Sequence, residues 1–62
     1  MVMKKYAIPP ITTPEFTKGL EYELLNQGKE TFMIRNNNGL LTICYYKGSM
    51  HIKNMDWKII EK

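Results

Sequence analysis

Apolar residues recur along this chain with a period of two, and no 11-residue window sets them at i, i+3, i+4 and i+7 without interruption. A helix that covers a core needs the second spacing, and a strand with one wet face needs the first. The pattern therefore predicts an all-β chain. Leu20, Tyr22 and Leu24 alternate with Glu21 and Glu23, and Phe32 and Ile34 alternate with Thr31, Met33 and Arg35. Asn36-Asn37-Asn38-Gly39 comes next. Asn and Gly tolerate the positive φ of a tight hairpin, so a turn is predicted at Asn38-Gly39. The β-branched and aromatic run of residues 40–46 should then return antiparallel to the Phe32 strand.

Lys47-Gly48-Ser49 reads as a turn, Met50-His51-Ile52 as a short strand, Asn54-Met55-Asp56 as a further turn, and residues 57–61 as the last strand. Residues 2–8 are expected to form a first strand. Pro9, Pro10 and Pro14 then exclude regular structure until Thr17-Lys18-Gly19. The proline-containing stretch is read as a rigid surface loop rather than as a ligand for another domain. A chain of 62 residues has room for one domain. It buries only about 60% of the surface its unfolded form exposes. Four or five short antiparallel strands in so small a domain must protect their edges. A small SH3-like barrel is the expected architecture. Residues 1–16 would supply the first strand and the proline loop, and residues 17–61 the barrel core. Tyr22, Leu24, Phe32, Ile34, Ile43, Trp57 and Ile59 are expected to share one hydrophobic cluster.

Nine Lys and Arg against six Asp and Glu give a net charge of +3. The excess lies in the second half. Residues 1–31 balance four Lys against four Glu, whereas residues 32–62 set five Lys and Arg against Asp56 and Glu61. That distribution permits an anionic partner without requiring one, since it also suits solubility. Cys44 is the only cysteine, so neither an internal disulfide nor a cysteine-based zinc site can form. A secreted domain of this size would usually be stapled, which favours an intracellular setting. No secretory leader and no membrane span are read from the sequence.

Lys18-Gly19-Leu20-Glu21-Tyr22-Glu23-Leu24-Leu25 resembles the K-G-x-x-Y-x-hydrophobic strand opening of small SH3-like proteins of phages and prophages. Phe32-Met33-Ile34 and Asn37-Asn38-Gly39 fall where such proteins place an aromatic-x-aliphatic strand and a polar turn ending in Gly. Trp57-Lys58-Ile59-Ile60 resembles their closing segment. The similarity covers residues 17–61, and the turn departs from the acidic Asp-Asp-Gly form those proteins usually carry. The resemblance implies a mobile-element accessory protein in the cytoplasm of a bacterial host, with no functional residues to carry over.

Cys44 and His51 are the only candidates for a nucleophile–base pair, with no third group to orient the imidazole. They are read as a buried cysteine and a surface histidine. No catalytic residue, metal site or cofactor is assigned, because one His and one Cys fall short of the convergent ligands a metal needs. The expected function is non-enzymatic binding, with a host or phage protein as partner and host takeover or anti-defence by occupying a surface as its form. The expected contact residues are Met33, Arg35, Tyr46, Lys47, Met50, His51 and Lys53. Five methionines suit an adaptable surface of this kind. The alternative is a small RNA- or DNA-binding barrel, in which aromatic residues among Tyr45, Tyr46 and Trp57 stack on bases while Arg35, Lys47 and Lys53 track phosphates. Self-association is compatible with either reading.

Overall fold

A computed structural model describes residues 3–62. It contains β1 (Lys5–Ile8), β2 (Tyr22–Glu23), β3 (Asn26–Gln27), β4 (Thr31–Arg35), β5 (Leu41–Tyr45) and β6 (Lys58–Glu61), with a 3₁₀ turn over Met50–Ile52 between the last two. Val2, expected in the first strand, lies outside the described residues. The strands form two antiparallel sheets of three, ordered β2-β1-β6 and β3-β4-β5.

Neither sheet closes, so the expected SH3-like barrel of four or five strands is not what this chain builds. The reason begins at Leu24 and Leu25. The Leu24 N–H donates to the Lys5 carbonyl of one sheet at 2.9 Å, and the next N–H, of Leu25, donates to the Met33 carbonyl of the other at 2.8 Å. The strand read from the Leu20 to Leu24 alternation is thus divided into two-residue pieces that serve different sheets. On the far side, β5 and β6 share no ladder. Near their ends a single bond joins Trp57 N–H to the Tyr46 carbonyl, at 3.1 Å. β1 is the middle strand of its sheet and Phe16 is buried, so residues 5–16 belong to the same packed unit as the rest of the described residues.

The hairpin between β4 and β5 forms, with a longer loop than Asn38-Gly39 alone would give. Gly39 N–H donates to the Asn36 carbonyl and Asn36 N–H to the Leu40 carbonyl, both at 2.9 Å. Of the four turn residues only Gly39 has positive φ, at 79°. This is a three-residue loop made of a type I turn followed by a left-handed glycine. Asn36 caps it from inside, its Oδ1 accepting from Asn38 N–H at 2.9 Å and Leu40 N–H at 3.1 Å.

That extra residue overturns one core assignment. A two-residue turn at Asn38-Gly39 would set Ile43 opposite Ile34, facing inward. In the observed register Ile34 opposes Thr42, and Met33 opposes Ile43. A slip of one residue exchanges the two faces of a strand. Thr42 and Cys44 are therefore buried, and Ile43 is 61% exposed.

Residues 50–52 also differ from expectation, forming a 3₁₀ turn instead of a strand. The Ser49 carbonyl collects N–H groups from Ile52 (3.1 Å) and Asn54 (2.7 Å), which winds the segment and drives Ile52 into the core. The turn ends on Lys53 and Asn54, both left-handed, at φ 55° and 63°.

Phe16 sits at the centre of the core. Its ring meets Tyr22 and Trp57 edge-on, with centroids 5.3 and 5.1 Å away, and Phe32 meets Trp57 edge-on at 5.6 Å. Such T-shaped contacts align ring edges with ring faces and stabilise beyond simple burial. Leu24, Ile34, Cys44, Ile52 and Ala7 complete the buried cluster, with Tyr22, Tyr46, Ile59 and Ile11 packed at its margin. Phe16 reaches this position from the proline loop, which is tied down rather than free. Thr13 Oγ1 accepts from Phe16 N–H at 3.1 Å, and Pro9 is fully buried. The Tyr22 hydroxyl accepts from Thr17 N–H at 2.8 Å and donates to Asn37 Oδ1 at 2.6 Å, binding the loop to the β4–β5 turn.

Candidate functional site

The residues expected to bind occupy separate settings. Met33 and Arg35 lie on the outer face of β4, where alternation turns Phe32 and Ile34 inward. Arg35 is committed in part to its own hairpin, donating from Nη1 to the Gly39 carbonyl at 2.8 Å. Tyr46 turns inward and packs against Phe32, ring centroids 4.8 Å apart. Lys47 and Lys53 are exposed, and Met50 is the most exposed of the large apolar residues among those described, at 82%. His51 is half-buried, with Nδ1 3.5 Å from Glu15 Oε1 and its ring 6.2 Å from Phe16.

The structure brings together a different set. On β5, Leu41, Ile43 and Tyr45 all project outward and are each more than half exposed. Across the ladder they stand beside Arg35, Met33 and Thr31 respectively. Asn26 joins from β3, opposite Met33. A shallow depression of about 210 Å³ runs between these strands, lined by residues that include Asn26, Thr31, Met33 and Ile43. A second, open cleft of about 320 Å³ lies at one end, between Lys29-Glu30 and Tyr45-Tyr46-Lys47. The outer face of β3-β4-β5 is thus an apolar strip with Arg35 at one end and lysines at the other. Of the strip's exposed residues, sequence reasoning expects Ile43 in the core and Tyr45 only as an aromatic that could stack on bases, and it assigns Leu41 no role. The run Leu40 to Tyr46 is apolar in both registers of alternation, so only the turn length reveals its outer face.

Nothing in the geometry prepares Cys44 for attack. Burial, and secondarily the negative charge of Glu15, push its thiol up to about 12 from 9.0, with the neighbouring Ser49 hydroxyl offsetting part of the rise. A thiol in that state is protonated at neutral pH and is a poor nucleophile. Among the described residues no three His, Cys, Asp or Glu side chains are grouped to hold a metal ion. None of their helices is long and apolar enough to cross a membrane. Of the three aromatics considered for base stacking, Trp57 is buried, Tyr46 is packed on the core, and Tyr45 alone presents a free ring.

Comparison with protein-family models, with curated proteins and with solved structures gives no match. The resemblance to SH3-like phage and prophage proteins is therefore not upheld. The residues that carried it are strand and turn formers, which any small antiparallel sheet uses for the same reasons.

Proposed function

We propose that this protein is a non-enzymatic binding module that engages another protein through the outer face of β3-β4-β5. The observation that carries the reading is the exposure of Leu41, Ile43 and Tyr45 in a row beside Met33. Contiguous apolar surface of this kind, bordered by polar and charged groups, is what a partner protein covers. Tyr45 has the character of an anchor, combining a large ring with a hydroxyl that tolerates water until it is covered. The basic groups at the margin, Arg35, Lys29 and Lys47, would tune the rate of encounter more than the strength of the complex. A lone cysteine held as a buried thiol in so small a domain supports an intracellular setting.

The test is affinity capture from a lysate of the organism that makes the protein, with and without nuclease. The reading expects a protein partner that survives nuclease treatment. Tyr45→Ala should lose that partner, and a variant with Lys47, Lys53 and Lys58 all changed to Gln should keep it. Recovery of nucleic acid that depends on those three lysines and is indifferent to Tyr45 would replace the reading with the nucleic-acid one.

A further inference from the structure

We propose that β5 pairs antiparallel with β5 of a second copy about a two-fold axis at Ile43, joining two β3-β4-β5 sheets into one of six strands. This goes beyond the protein-binding reading and stands on backbone groups rather than on the face itself. β5 borders only β4, so its other side is a sheet edge. The bonds that bracket the hairpin, Asn36 N–H to Leu40 and Tyr46 N–H to Glu30, set the parity of the ladder. By the alternation of an antiparallel pair, Thr42 and Cys44 direct their N–H and C=O groups to β4. Those of Leu41, Ile43 and Tyr45 therefore point away from it, and among the described residues no bond outside the strand ladders uses them.

The edge complements itself. With Ile43 opposite Ile43 of the second copy, Leu41 falls opposite Tyr45, and Tyr45 opposite Leu41. Every one of these is a pair whose N–H and C=O groups face each other, so each exchanges two hydrogen bonds. On the outer face the same register sets aliphatic on aliphatic at the centre and aliphatic on aromatic at either side, pairings that stabilise a sheet. No charge lies on β5 to oppose its own image. The usual protections of an edge, a lysine, a proline or a bulge, are missing from it. A closed two-fold contact is also the commonest symmetry of self-association. The apolar strips of the two copies then become one continuous surface.

The experiment uses the purified protein. Sedimentation equilibrium over a concentration series should show a monomer–dimer equilibrium that strengthens with added salt, since salt screens the repulsion between two chains of charge +3. Ile43→Lys sets like charges face to face and should return the protein to monomer at every concentration, with the urea midpoint the wild type shows at dilutions where it is itself monomeric, because Ile43 packs no core. Register is read by disulfide trapping. Ile43→Cys should crosslink to itself, and Leu41→Cys should crosslink to Tyr45→Cys in a mixture. Leu41→Cys alone should not, because its copies would stand about 14 Å apart along the strands, beyond disulfide reach. A wild-type protein that stays monomeric, a dimer that survives Ile43→Lys, or trapping of Leu41→Cys with itself overturns the proposal. Because no partner protein is present, these outcomes are independent of the capture experiment.

Discussion

On β2-β1-β6 the outward ring of Tyr6 lies 5.8 Å beneath the Lys62 ammonium, Lys4 stands 3.7 Å from Glu23, and Lys62 is 2.6 Å from Glu21. On β3-β4-β5 the corresponding positions hold Met33, Ile43 and Tyr45, and β5 carries no ionisable group but its cysteine and tyrosine. Both sheets pack on the same aromatic core, and their strands run to similar lengths. What separates them is the placement of charge. The free edge at β6 is bracketed by Lys58 and Glu61, which discourages another strand from adding to it, whereas the edge at β5 lacks such a guard. The comparison teaches that net charge says little about how charge is shared between the faces of a small protein. One sheet carries ion pairs at its surface, and the other leaves Leu41, Ile43 and Tyr45 exposed.

The contrast can be broken most severely at what the sheets share. Phe16→Ala should cost about 3–5 kcal/mol, because it empties the centre of the core. The whole stability of a chain this long is roughly 3–9 kcal/mol, so the variant should lose about a third of it or more in urea titrations. Ile43→Ala should by contrast stay within about 0.5 kcal/mol of the parent. Equal losses at the two positions would mean that the outer face of β5 is not free. Next in size is Tyr22→Phe, which removes the hydroxyl that joins the proline loop to the β4–β5 turn. It leaves the part-buried Thr17 N–H without its acceptor, while water can take the place of the hydroxyl at the exposed Asn37 Oδ1, and a loss of about 1 kcal/mol is expected in the same titration.

The inner face of β5 can be probed by pH. The Cys44 thiol titrates near 9.0 when unfolded and near 12 when folded, so above pH 9 the unfolded chain has released a proton that the folded one retains. Stability is then complete below pH 9 and declines as pH rises toward 12. Between pH 8 and 10 the loss should be about 1 kcal/mol, and Cys44→Ala should remove that part of the slope. If the slope is unchanged in the variant, Cys44 is more hydrated than its place on β5 indicates. The smallest effect belongs to the charged sheet. Glu21→Gln frees Lys62, whose ammonium is held in its charged form chiefly by the hydrogen bond to Glu21. An exposed pair of this kind should change the urea midpoint barely above error, and added salt should erase the difference.

What could be read from the sequence follows from where periodicity is unambiguous. Phe32 and Ile34 alternate with Thr31, Met33 and Arg35, of which the outer two are polar, so their inward direction was legible, as was the hairpin after them. In the run Leu40 to Tyr46 both faces are apolar, and alternation has no phase to report. Its orientation depends on whether the loop holds two residues or three, and Asn36-Asn37-Asn38-Gly39 can serve either. Phe16 was not legible for a different reason. It lies in a loop between prolines, where no repeat marks which side chain turns inward, and its burial depends on Thr13 and on contacts from strands far along the chain. The barrel expectation failed at Leu24 and Leu25, whose identical side chains carry no sign that their N–H groups serve different sheets. The apolar strip was invisible for the same cause as the fate of Ile43. Alternation already turned Met33 and Arg35 outward, but the register that sets Ile43 and Leu41 beside them depends on the loop length.

The handover at Leu24 and Leu25 also bears on how the molecule opens. Consecutive peptide groups there close the hydrogen-bond ladders of both sheets, so neither sheet can separate from the core without pulling on the other. Local opening in proteins follows such cooperative units, and here the unit spans both sheets. Amide exchange at Leu24 and Leu25 should therefore proceed at one common rate, set by the same excursion that exposes Ile34 and Ala7. A substitution that loosens β6 would then be felt as faster exchange on β4. The two sheets differ in their surfaces and share a single escape from the folded state.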